Sequence, residues 1–564
     1  MQEPTLTVYN LPPQHLQWDR VGVFYMCFCT IWTTIVLAGM IFCWVNRHLP
    51  ILRIRGLGLS FASVICLHLY WILGQITYPV GPTLNAVVAY DVQYFVMGIY
   101  LPIGIALFHI ANHRFLRVAR LQQQFMDPSF SGKRSPAVPD ASVLYMLRSL
   151  KAGSKATVYV TIGLIVQTLL TIGMWLACRK YHPAFGLPDT EIRGASVVEQ
   201  LRNLAIGWEW WPSIVWQFAW TWIVAPVLIW RAWKIRDTMG WRTQTIGACL
   251  SGLHATPMFL VASYSPAFYK INAYFPPSQW IQLNTVLLEM FLVFVPAYQV
   301  VKLRRTNRKV MYSNEKWESS SQATIICTSK DKALIELAVT GQSVRPAIMN
   351  GYHGDRLLTM TALNRVLEHH PEPLQAFSAC HDFSGENIAF LTRVAKWKAT
   401  WASCTTLDHE QRIDMYNAAL GIYIDFVSPY DAEFPLNLSS AQLKQLDDVF
   451  GASARLLNGH VHGDPALPFA CDVASTISIP SLRHSEGSET ELRGRYRGEI
   501  AHAFDVGVFD GAQSHVKDLV LTNTWPKFVH HVRRRSIDSD VTAATDDSNE
   551  TAVSRVTRFV KALA

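Results

Sequence analysis

The run Phe383-Ser-Gly-Glu-Asn-Ile-Ala-Phe390 sets an uncharged acceptor-and-donor side chain, Asn387, among aromatic and aliphatic residues at helical spacing. An amide both donates and accepts without bringing a charge, so the chemistry on offer there is recognition rather than bond making. Metal chemistry is not indicated, because the ten cysteines are spread without a Cys-x-x-Cys pair or any His/Cys ligand spacing. Five of them, Cys27, Cys29, Cys43, Cys66 and Cys249, lie in apolar runs, where a thiol behaves as a small hydrophobe. Neither a disulfide framework nor a cofactor is expected. A second group of candidates is ionisable: His68, Asp91, His254 and Glu289 fall inside apolar segments, where charge is costly and marks either function or partnership. They could line a ligand or proton site between helices, or satisfy one another through interhelical hydrogen bonds.

The elements that must position these residues divide the 564-residue chain in two. A bilayer span needs about 20 mostly apolar residues, and seven such segments precede residue 302: Val21 to Val45, Leu57 to Tyr78, Ala86 to Ile110, Ala156 to Cys178, Trp208 to Trp230, Thr245 to Ser265 and Trp280 to Val301. The first is too long for a signal-peptide core and lacks a basic leader, so it reads as a retained span. Prolines at 102, 212, 226, 257 and 296 are expected to kink their helices. Trp208, Trp210 and Trp211 at one end of the fifth span, and Trp230 and Trp233 at the other, read as interfacial anchors.

Lysine and arginine set the orientation. The segments after the first, third, fifth and seventh spans carry Arg47, Arg53 and Arg55; Arg114, Arg117, Arg120, Lys133, Arg134, Arg148, Lys151 and Lys155; Arg231, Lys234, Arg236 and Arg242; and Lys302, Arg304, Arg305, Arg308 and Lys309. The opposite side offers only Arg20, Arg179, Lys180, Arg193, Arg202 and Lys270. The expected topology has residues 1–20 outside, a bundle over 21–301, and everything after it in the cytosol, with the plasma membrane as the expected site. The net charge of +8 clusters beside apolar runs, which points to anionic lipid and not to nucleic acid.

Residues 302–354 read as a partly helical juxtamembrane linker. From there to 530 amphipathic helices follow one another: Leu363, Val366 and Leu367 start one, Phe390, Leu391, Val394 and Trp397 continue the helix that holds Asn387, and Ala419, Ile422, Tyr423 and Phe426 mark another. The fold class is therefore all-α, a seven-helix transmembrane bundle followed by a cytosolic helical bundle.

Four motifs in this part carry a resemblance. They are Phe383-Ser-Gly-Glu-Asn-Ile-Ala-Phe390, Ile422-Tyr-Ile-Asp-Phe-Val427, Pro435-Leu-Asn-Leu-Ser439, and Phe509-Asp-Gly-Ala-Gln513 with Leu519 and Thr524-Trp-Pro-Lys-Phe-Val529. In this order they resemble the regulator of G-protein signalling (RGS) domain, here over 355–530 with an insertion near 455–503. With seven spans ahead of it, the chain is similar to the fungal and plant membrane-bound RGS proteins. The signatures of rhodopsin-like receptors are missing, since the third span ends in His109-Ile-Ala-Asn-His-Arg114. The resemblance implies a GTPase-activating protein with no catalytic centre of its own, because the GTP-bound Gα subunit supplies the arginine and glutamine of its reaction. It also implies three Gα contacts: Ser384, Glu386 and Asn387 in one loop, Asn437 in a second, and Leu519, Asn523, Thr524 and Lys527 in a third. Where the family usually carries an acid before the small hydroxyl this chain has Asn523, and where arginine is usual it has Lys527, which lacks the planar fork.

Two other readings stand beside this one. The chain could be a receptor or scaffold whose RGS-like domain binds Gα without accelerating hydrolysis. A transporter would rest on Glu289, Asp91 and the two intramembrane histidines alone. The tail 531–564 is polar, with a basic amphipathic pattern from Val553 to Leu563 and an Arg533-Arg-Arg-Ser536 run. The sequons at Asn437 and Asn549 lie on the cytosolic side and are expected to stay unmodified.

Overall fold

The protein is described from a computed structural model that covers residues 6–126, 152–318, 357–402, 408–458, 495–532 and 534. Three consecutive serines of the expected linker, 319–321, most of the insertion, the Arg533 to Ser536 run apart from Arg534, Asn549 and the amphipathic tail pattern lie outside these residues. The described part is all-helical, with no strand. Seven helices are long and apolar enough to cross a membrane: α1 (Arg20–Val45), α2 (Leu57–Thr83), α3 (Ala86–Met126), α4 (Thr157–Ala177), α5 (Val197–Trp233), α6 (Trp241–Tyr264) and α7 (Ser278–Glu318). On length and composition the chain is an integral membrane protein.

Proline leaves the same imprint on three of these helices. Pro102, Pro226 and Pro296 each sit two residues beyond a wide π-helical turn, at Val96–Tyr100, Ala219–Val224 and Met290–Phe294. Proline has no N–H for the carbonyl four residues back and its ring crowds that carbonyl, so the preceding turn loosens into the π form. Pro257 follows an interruption that separates Trp241–Gly252 from Ala255–Tyr264. Pro212 differs from expectation. It lies at the start of Trp211–Phe218, where the missing N–H costs nothing and no kink follows. Trp210 departs as well: it is buried against Tyr94, ring centroids 5.1 Å apart, whereas Trp208, Trp211, Trp230 and Trp233 are exposed as interfacial rings would be.

The chain forms two compact units: Met1–Leu121 with Pro136–Arg305, and Gln122–Ser135 with Thr306–Ala564. The stretch expected as a partly helical linker begins as helix, α7 running on from the seventh span to Glu318. Lys302 to Lys309 are therefore helical.

The second unit contains α8 (Met360–His369), α9 (Glu372–Phe377), α10 (Gly385–Trp401), α11 (His409–Ile422), α12 (Ser440–Asn458) and α13 (Asp510–Leu519). The apolar stripe of α10 supplies its centre. Phe390 meets Phe426 and Phe509 edge to face at 6.1 and 6.0 Å, and Phe509 stacks on Phe450 of α12 at 5.7 Å. Each such buried ring contributes roughly 1.5–3 kcal/mol. Arg393 of α10 pairs with Asp425 at 2.7 Å, and the Lys398 ammonium donates to Gln513 of α13 at 2.7 Å, so α10 is tied along its length. The same core includes Phe125 and Val310, residues far outside 355–530 in sequence.

Candidate functional site

α9 leads into a π-helical turn at Ser378–Asp382, and the chain then reverses at Phe383. Phe383 is left-handed (φ 47°), a conformation unusual for a bulky residue. It is held there by burial of the ring and by the Ser384 N–H, which donates to the Ser378 carbonyl at 3.0 Å. The reversal sets Asp382, wholly buried, beside the loop that starts α10.

Asp382 is the residue that sequence reasoning missed. Its Oδ2 accepts from Thr524 Oγ1 at 2.7 Å, from Ser384 Oγ at 3.0 Å and from Asn523 Nδ2 at 3.5 Å. Its Oδ1 accepts from Lys527 Nζ at 2.7 Å, and Lys527 also donates to Asn523 Oδ1 at 2.8 Å. Ser384 and Thr524 hydroxyls lie 3.1 Å apart. One carboxylate thus joins the first and third loops, its charge balanced by the single cation of the third. The signal was present, since a carboxylate stands two residues before Ser384 and the third loop, residues 519–529, carries one lysine without an acid.

The eight expected contact residues divide accordingly. Ser384, Asn523 and Thr524 are buried with their side chains turned to this network. Glu386, Asn387, Asn437, Leu519 and Lys527 keep part of their surface open. The Asn387 N–H donates to the Ser384 carbonyl at 3.1 Å, as the first turn of a helix requires, and its side chain is one of the partly open ones. The second loop is held from both sides. Leu436 is buried and its N–H donates to the Phe426 carbonyl at 2.8 Å, while the Asn437 carbonyl accepts from His515 Nε2 of α13 at 3.0 Å. Loops one and three are therefore connected through Asp382, and loop two is held to α13 through His515.

The four intramembrane candidates do not converge. Glu289, wholly buried, accepts from Trp32 Nε1 at 2.6 Å and faces His68 Nδ1 at 2.9 Å, and His68 Nε2 lies 3.0 Å from Thr33 Oγ1. First, second and seventh spans are stitched together by this set, which is the mutual-satisfaction reading. Asp91 is elsewhere, accepting from Trp175 Nε1 at 2.8 Å. His254 lies in the interruption of α6, and its Nε2 has no hydrogen-bond partner. Three features escaped the sequence reading here. They are the buried Lys180–Glu209 pair at 3.1 Å, His109 stacked on Trp220 at 4.7 Å, and buried Arg55, which donates to Gln244 Oε1 at 2.9 Å and to the Met239 carbonyl at 2.6 Å. Residue type alone did not mark them, because pairing across spans depends on helix rotation.

No metal-binding group of three His, Cys, Asp or Glu side chains occurs among the described residues. In comparisons with known proteins, no family model, no curated protein and no solved structure matches the chain.

Proposed function

We propose that this protein is a membrane-tethered regulator of heterotrimeric G-protein signalling that accelerates GTP hydrolysis by a Gα subunit. The observation that carries the reading is the Asp382 network, which ties the first and third motif loops into one unit while Asn387, Asn437 and Glu386 remain partly open. Such a surface can hold the mobile switch loops of Gα in the geometry of the transition state, which is differential binding of that state. Two amides suit the task because they donate and accept without adding charge near the γ-phosphate. The lysine and arginine bias orients the second unit towards the cytosol, at the plasma membrane where lipid-anchored α subunits gather. Tethering there raises the effective concentration of each partner for the other.

The test is single-turnover GTP hydrolysis by Gα in the presence of the full chain in lipid nanodiscs. Acceleration is expected from the wild type, and Asn387→Ala with Asn437→Ala is expected to remove at least roughly tenfold of it, about 1.4 kcal/mol of transition-state binding. A wild type that gives no acceleration, or a double variant that retains all of it, refutes the mechanism. Binding to Gα without acceleration would instead support the scaffold reading, which the inward commitment of Lys527 to Asp382 favours. The seven-span unit would then sense a small ligand or serve only as the tether, and a ligand-dependent change in the hydrolysis rate separates these two roles.

A further inference from the structure

We infer that the segment Gln122–Met126, which leaves the third span and precedes the RGS-like region by more than 200 residues, is a positioning element of the Gα-contact loops. The inference rests on the reading above. Helix α10 begins in an unusual way. Its N-cap residue is Ser384, a type that normally accepts from the first free N–H groups of its helix, yet the Ser384 side chain makes no capping bond. Its hydroxyl is committed to Asp382 and Thr524.

The vacant role is taken by Gln122. Its Oε1 accepts from the Gly385 N–H at 3.0 Å and its Nε2 donates to Glu386 Oε2 at 2.9 Å. One buried amide therefore caps the helix and fixes the rotamer of a carboxylate that the Gα reading assigns to the first contact loop. Gly385 makes the approach possible: a Cβ there would lie 2.8 Å from Phe125 Cβ. The next turn of the segment extends the grip. The Phe125 carbonyl accepts from buried Gln375 Nε2 at 2.7 Å, and the buried Phe125 ring meets Phe434 edge to face at 6.0 Å. Phe434 lies three residues before Asn437, so the segment braces the second contact loop as well as the first.

The bonds to Gly385 and Glu386 act on the side-chain direction of a contact residue and on the first turn of the helix that carries Asn387. Their loss should therefore be felt where the loop must match the transition state of Gα. Gln122 is also the last residue of the helix Leu101–Gln122.

The experiment uses the full chain in lipid nanodiscs and compares its binding to Gα in the GDP–aluminium fluoride form, the transition-state analogue, with its binding to Gα·GDP. Gln122→Leu keeps the size and removes both hydrogen bonds. It is expected to reduce the preference for the transition-state form by about tenfold, and to speed hydrogen exchange at Gly385, Glu386 and Asn387. Gln122→Glu keeps an acceptor for the Gly385 N–H but sets a like charge against Glu386; it is expected to lower the preference without speeding exchange at Gly385, and it serves if the leucine variant does not fold. Ile413→Ala, a core change in α11, controls for general loss of stability and is expected to leave the preference intact at an equal or larger fall in melting temperature. A preference in the wild type that Gln122→Leu and Gln122→Glu leave unchanged, or that falls no more than with Ile413→Ala, overturns the inference alone. A wild type with no preference for the transition-state form overturns the functional reading and the inference with it.

Discussion

Asp382 shows how much one side chain can organise. Four donors, Ser384 beside it and Asn523, Thr524 and Lys527 of the third loop, converge on its two oxygens, and no apolar neighbour could replace it without stranding them. Asp382→Asn keeps the shape but loses the charge that balances Lys527 and offers one acceptor where two served. Lys527 is partly exposed and can turn towards water, which limits the cost. The expected destabilisation of the second unit is about 2–3 kcal/mol, read as a lower melting temperature together with weaker stimulation of Gα. An unchanged melting temperature would mean that the network contributes nothing net. Asn523 and Lys527 act together here. Asn523 bridges Lys527 and Asp382, so the carboxylate that the third loop lacks is supplied by the first.

At the scale of elements, proline and the π turn recur as a pair. The arrangement found at Pro102, Pro226 and Pro296 appears again in the second unit, where the π turn Val520–Thr524 ends two residues before Pro526. A π turn adds a residue to the circuit and so rotates what it carries relative to the flanking helix. In the second unit this turn carries Asn523 and Thr524, and both face Asp382. Pro526→Ala restores an N–H that can donate to the Thr522 carbonyl, which favours closure to an ordinary α turn. Closure would carry the Thr524 hydroxyl away from Asp382. Despite the better helix propensity of alanine, the expected result is a loss of about 1 kcal/mol in thermal unfolding. A gain in stability would show that the tertiary contacts alone hold the turn. Proline positions are plain in the sequence, and a disturbance of the helix at 102, 226, 257 and 296 was expected, which takes the form of π turns at three of them and an interruption at the fourth. What could not be read was which side chains a wide turn would point inward, nor that Pro212 begins a helix instead of bending one.

At the scale of the molecule, the second unit is not the contiguous stretch that its motifs mark out. Its core includes Phe125 and Val310, the first turn of α10 is capped by Gln122, and α8 is anchored where the Met360 N–H donates to Asn314 Oδ1 at 2.8 Å and the Thr361 N–H to Glu318 Oε1 at 2.8 Å. Phe125→Ala in the full chain is expected to cost the second unit about 3–5 kcal/mol, a drop that thermal unfolding in nanodiscs would resolve. A change below about 1 kcal/mol would mean that the ring is only peripheral to the unit. The seven candidate spans and the all-helical class were legible from the sequence alone, because apolar length and helical period are local properties that survive without a partner. The Glu289–His68 pair was legible only as a suspicion, since burial of two polar groups predicts that each needs a partner but not which one. Tertiary structure alone decided that Asp382 ties two loops together, that Ser384 gives up its capping role, and that Gln122 takes it over. Those assignments turn on which of several donors reaches one carboxylate or one free N–H, and that choice is made by the packing of helices distant in sequence.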